Sequence, residues 1–131
     1  MSVFESAVTI NKPASVVYAF LGDMNNHRQL MPDSITDWQS TTDQASFNVQ
    51  NITTLSLKID ERVADTLIRI IPAEKAPFDL ELKWELNSAS ENTEAKFTIT
   101  ADLNMMMKMV ASGPLKKLVE EETANLVRLL S

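Results

Sequence analysis

The sequence predicts an α+β fold in which a strongly curved antiparallel β-sheet wraps around a long C-terminal helix. Two observations carry this expectation. Residues 78–86 and 94–103 each alternate apolar with polar side chains, the pattern of strands with one dry and one wet face. After Pro114, the residues Leu115, Leu118, Val119, Leu126, Leu129 and Leu130 share one helical face, while Lys116, Lys117, Glu120, Glu121 and Arg128 occupy the other. Packing the dry helix stripe against the dry sheet face buries both at once, the economical layer arrangement.

The remaining elements follow in chain order. Residues 3–10 alternate, with Phe4, Ser6, Val8 and Ile10 on one side, and predict a strand. Asn11-Lys12-Pro13 opens a helix, since proline is tolerated in a first turn whose amides lack partners. Val16, Val17, Phe20, Leu21 and Met24 continue at helical spacing, and Gly22 either ends that helix or kinks it into a short second one over residues 23–30. Residues 35–40, 45–50 and 55–63 read as three successive strands, with polar turns at 41–43 and 51–54. Asp65 turns the chain into a strand at 67–71, and residues 72–77, with two prolines, form a loop. The strands at 78–86 and 94–103 are joined by a hairpin loop at 87–92, and the last helix begins with Pro114 in its first turn. About seven strands result, in the order β-α-α-β6-α.

The chain of 131 residues is long enough for one core, and no repeat or linker divides it, so residues 1–131 are expected to form one domain. Hydrophobic residues at 44% and charged residues at 23% give globular rather than disordered composition. Without cysteine there is no disulfide, thiolate nucleophile or cysteine-based zinc site. The two glycines, Gly22 and Gly113, are too few and too far apart for a phosphate-cradling loop. A net charge of -6 with scattered Lys and Arg argues against nucleic acid as a partner. No leader or membrane-length apolar run is evident, so a cytoplasmic location without membrane insertion is expected. No cofactor and no metal site is expected, and oligomeric state is left open.

The opening Ile10-Asn11-Lys12-Pro13-Ala14-Ser15-Val16-Val17-Tyr18-Ala19-Phe20-Leu21-Gly22-Asp23, the later Met31-Pro32 and the element order resemble the START-like helix-grip superfamily (SRPBCC). That superfamily includes polyketide cyclases and dehydrases, lipid-transfer domains and the major birch-pollen allergen. The resemblance covers essentially the whole chain, but its motifs are markers of fold and not of chemistry. It implies a cavity between sheet and terminal helix that receives a small hydrophobic molecule. No catalytic residue carries over, because catalytic members place acid–base groups individually on the cavity wall.

Glu122 is the most informative single residue. At about 100° per residue it falls near the middle of the stripe of Leu115, Val119 and Leu126, where a carboxylate needs a cation, a hydrogen-bond network, water or a proton. It is either a polar anchor or acid–base group in the pocket, or a residue that reaches solvent at the pocket mouth. Glu61 continues the inward parity of Leu55, Leu57 and Ile59 but sits near a strand end, and Arg69 is an outward strand residue able to pair with either glutamate. His27, the single histidine, has Asp23 and Asp33 nearby for an acid–base pair, yet its polar surroundings favour a solvated surface position. Met105, Met106, Met107 and Met109 suit either an adaptable pocket wall or lid, or core filler. Trp38 and Trp84 are expected in or beside the core.

Candidate ligand contacts are thus Glu122, Trp84, Phe97, Met105, Met109, Leu118 and Leu126. The favoured function is binding of a small hydrophobic or amphipathic molecule. A cyclase, dehydratase or isomerase using a pocket carboxylate, and an interaction protein with a full core, remain as alternatives.

Overall fold

Alternation builds the sheet as expected. The computed structural model describes residues 1–49, 53–76 and 78–131. The strands are β1 (Ser2–Ile10), β2 (Ile35–Ser40), β3 (Gln44–Val49), β4 (Thr53–Val63), β5 (Leu67–Pro72), β6 (Leu80–Ala89) and β7 (Asn92–Ala101). They form one seven-stranded sheet in the order β1-β7-β6-β5-β4-β3-β2, and every neighbouring pair is antiparallel. Helices α1 (Ala14–Leu21) and α2 (Met24–His27), with a 3-10 turn at Arg28–Leu30, carry the chain from one sheet edge to the other. The long helix α3 (Met105–Leu130) covers the concave face.

Side-chain parity decides what the sheet buries. On β6, Leu80, Leu82, Trp84 and Leu86 point into the core, and Ala95, Phe97, Ile99 and Ala101 of β7 lie beside them. Trp84 sits directly opposite Phe97, with the rings stacked at 4.4 Å and 8°. The register brings the two largest core rings together at a non-local pair, worth about 0.5–1.5 kcal/mol beyond the area they bury. The β6–β7 connection is tighter than expected. Pairing continues to Ala89↔Asn92, and Ser90 takes a positive φ of 62°, so the turn itself is Ser90-Glu91.

Two bulges bend the sheet. In β2 the register shifts between Thr36 and Gln39, where Asp37 has a φ of 58°. In β4 it shifts between Ile59 and Glu61. An extra residue on one strand increases local twist and reverses the parity beyond it. The second bulge therefore corrects the expected inward parity of Glu61. Glu61 lies opposite Arg69 on the exposed side, and Arg69 bonds Asp60 at 3.0 Å and Glu61 at 3.4 Å.

Past the same bulge, Arg62 takes the inner parity opposite buried Ile68. Its guanidinium donates to the carbonyl of Gly22 at 2.8 Å and to the Asp43 carboxylate at 2.7 Å. A cation at the C-terminal end of α1 answers carbonyls that have no intrahelical donor. The arginine thus ties α1, the β2–β3 turn and β4 together.

Helix α3 starts well before the position the sequence indicated. Asn104 caps it, its side-chain oxygen accepting from the Met107 amide at 2.8 Å, so Pro114 lies inside the helix and not in its first turn. Pro114 cannot donate to the Val110 carbonyl, but Val110, Gly113 and Pro114 are exposed and water can take that place. The expected turn at residues 51–54 lies partly outside the described residues, as do Gln50 and Pro77, and Thr53 and Thr54 already belong to β4.

Arg62→Ala is expected to lower the unfolding free energy by about 1–2 kcal/mol, because two charge-assisted bonds are lost at a half-exposed site. Urea denaturation measures it, and an unchanged midpoint would remove Arg62 from the account of how α1 is held.

Candidate functional site

Helix α3 is anchored along its length, and the anchoring points Glu122 inward. The Thr123 hydroxyl lies 2.8 Å from that of Ser6 on β1 and donates back to the Val119 carbonyl at 2.9 Å. The side-chain amide of Asn125 donates to the carbonyl of Leu30 at 2.9 Å. Next to these contacts Glu122 is 1% exposed. It faces a small cavity between helix and sheet, walled by Leu118 beside it, by Phe47, Leu57, Ile70, Leu82 and Phe97 from β3 to β7, and by Met24, His27, Met31 and Trp38 from the segment between α2 and β2.

The cavity measures about 20 Å³, room for about one water molecule. The concave face is filled by side chains, chiefly the Trp84–Phe97 and Trp38–Phe47 stacks, the latter at 5.0 Å and 12°. A pocket lies where the resemblance implied one, but closed down to a fraction of a ligand's volume.

The chemistry of the wall rests on two groups. Glu122 Oε2 is buried without a hydrogen-bond partner among the described residues. Burial pushes its carboxyl well above the ordinary value of 4.5, favouring the neutral acid, which can both donate and accept a hydrogen bond. His27 is 2% exposed, which corrects the expectation of a solvated surface residue. Its Nε2 donates to the Leu21 carbonyl at 2.7 Å, leaving the lone pair on Nδ1 in the neutral tautomer. Burial lowers its pKa from 6.5, with the Leu21 hydrogen bond and the Asp23 charge opposing. His27 makes no hydrogen bond to Asp23, whose carboxylate instead caps α2 by accepting from the Asn25 amide at 2.9 Å.

Of the seven candidate contacts, Glu122, Phe97 and Leu118 line the cavity. Trp84 and Leu126 are buried behind the wall and do not reach it. Met105 and Met109 are neither wall nor core. They are 82% and 83% exposed on the first turns of α3, because the Asn104 cap begins the helix early and rotates them outward. Of the methionine run, Met107 alone packs partly against the core. Met24 and Met31, read from the sequence as a helical-stripe residue and a fold marker, also line the cavity, and the spacing of Met24 and His27, three apart on one helical face, is the signal that points there.

No family model and no curated protein matches the sequence. Solved structures do match. A solution structure of the KanY protein is 14% identical over 98% of this chain and 97% of its own, with a TM-score of 0.82. A START superfamily protein from Mycobacterium smegmatis is 14% identical over 98% and 99%, at 0.70. The Aha1 dimer from Colwellia psychrerythraea is 13% identical over 99% and 96%, at 0.71. The chain has the START-like helix-grip fold. Among the described residues, no helix is long and apolar enough to cross a membrane, and no group of three or more His, Cys, Asp or Glu is placed to hold a metal ion.

The two wall groups pull stability in opposite directions with pH. The folded-state pKa of Glu122 lies above that of the unfolded chain, so its contribution is whole below about 4.5 and is lost as pH rises through the folded value. The folded-state pKa of His27 lies below 6.5, so its contribution is whole above 6.5 and is lost as pH falls through the folded value. Glu122→Gln is expected to flatten the decline on the alkaline side, and His27→Gln the decline on the acid side. Urea unfolding from pH 4 to 9 reads both, and parallel curves for parent and variants would count against these assignments.

Proposed function

We propose that the chain binds a small hydrophobic or amphipathic molecule between sheet and α3, with one uncharged polar group of the ligand hydrogen-bonded to Glu122. The observation that carries this reading is the unpartnered Oε2 of a buried carboxyl on an otherwise apolar wall. Leaving such a group unsatisfied costs about 1–3 kcal/mol, and an apolar side chain of similar size would fill the place without that penalty. A polar group of a bound ligand would answer Oε2 and remove that cost. Phe97 and Leu118 would contact the apolar body of the ligand. The START-like fold supports the placement of the site, and the small volume means that the wall moves apart on binding.

A second reading, an enzyme of the cyclase or dehydratase type, draws on the two wall groups together. Burial favours a protonated Glu122 and a neutral His27, an acid and a base held apart by their surroundings. In that case Glu122→Gln would abolish turnover while leaving ligand binding intact.

Native mass spectrometry of freshly purified protein, compared with its denatured mass, tests the binding reading. An added small-molecule mass is expected, lost on denaturation and absent from Glu122→Leu, and Glu122→Leu is expected to be more stable than the parent without ligand. A clean apo mass, with no thermal shift from a panel of apolar and amphipathic compounds, would sink it.

A further inference from the structure

Outside the cavity lies a surface cleft of about 250 Å³, formed where the 3-10 turn meets β2 and lined by Arg28, Pro32, Asp33, Asp37 and Ile35. Met31 and Trp38 line both the cleft and the inner cavity. These two partly buried residues are the ones common to both linings, and they stand between the surface cleft and the wall that holds Glu122.

Trp38 is mounted on the bulge of an edge strand. Thr36 pairs with Asn48 and Gln39 with Ser46, so Asp37 and Trp38 together face Phe47 alone, and Asp37 bears the strain of a left-handed backbone. The Trp38 indole Nε1 is buried without a partner among the described residues. A buried, unanswered N–H destabilises the closed position, and turning the ring outward gives that N–H to water. The ring is held by its stack on Phe47 and by packing against the edge of the core.

We infer that the cleft and the cavity are two halves of one binding site, with Trp38 and Met31 as the door between them, and that its ligand is a planar, uncharged ring carrying one hydroxyl or carbonyl group. This rests on the reading of Glu122 above. With Trp38 turned out, one face of Phe47 is bare and the space left against it is a slot one ring thick. The cleft of about 250 Å³ and the cavity of about 20 Å³ then join through the space the indole vacates, close to the lower end of the range of about 300–1,000 Å³ in which small-molecule sites fall. A planar ring takes the place of the indole on Phe47, its polar group meets Glu122, and the charges of Arg28, Asp33 and Asp37 keep the mouth wet.

The test uses 1-naphthol as probe, with 1-methylnaphthalene as its counterpart lacking the hydroxyl. Stopped-flow binding is followed in the parent, Trp38→Ala and Met31→Ala, the second variant serving where the first fails to fold, and the Trp38 indole N–H is followed by NMR in the parent. Saturable 1-naphthol binding is expected, about tenfold tighter than 1-methylnaphthalene for one hydrogen bond, with the Trp38 resonance shifted. Removing either door residue is expected to raise the association rate about tenfold, since association through a conformational step is slow. Binding with association rates unchanged in both variants and the Trp38 signal unmoved overturns the door while leaving the Glu122 reading intact. No 1-naphthol binding to any of the three proteins overturns the ligand class, and a co-purified mass of different chemistry in the native spectrum would then show that the Glu122 reading survives without it.

Discussion

One helix must cover the concave face of seven strands, and that requirement orders the rest of the molecule. At about 1.5 Å per residue the 26 residues of α3 extend about 39 Å, enough to cross the sheet. Only one stripe of such a helix can face the core, so Ala111, Leu115, Leu118, Val119, Glu122, Thr123 and Leu126 are buried together. The sheet curls to meet that stripe, and the bulges in β2 and β4 contribute the bend. The Ser6–Thr123 and Asn125–Leu30 hydrogen bonds then set the rotation of the helix in its C-terminal half, where Glu122 lies.

The same closure determines what the interior can be. Aromatic side chains from neighbouring strands stack across the concave face, and the packed rings leave about 20 Å³ beside the carboxyl of Glu122. In so apolar a place charge is disfavoured on both titratable wall residues, which pushes the glutamate toward its acid and the histidine toward its free base. A nearly full core and an unsatisfied carboxyl pull against each other. The first adds packing stability, and the second subtracts from it on the cavity wall. The part of the wall nearest the surface cleft, where Trp38 stands on an edge strand beside Asp37 with its positive φ, has irregular pairing.

Local periodicity by itself determined a good part of this protein. Alternation in β6 and β7 named the buried residues of those strands, and the helical stripe placed Glu122 among Leu115, Val119 and Leu126, because both patterns record which way successive side chains leave a regular backbone. Tertiary structure decided the rest. The β4 bulge turned Glu61 outward and Arg62 inward, since one extra residue reverses a period of two and nothing in the run of side chains marks where it falls. His27 became buried because α2 is pressed beneath α3 and the sheet, elements contributed from far along the chain. Asn104 started α3 ahead of Pro114 and left Met105 and Met109 in solvent, a cap outweighing a proline signal that would have suited a first turn equally well. Whether the concave face encloses a pocket or fills itself depends on how side chains from six strands and three helical segments meet, a question of volume in three dimensions that no periodicity along one chain can answer.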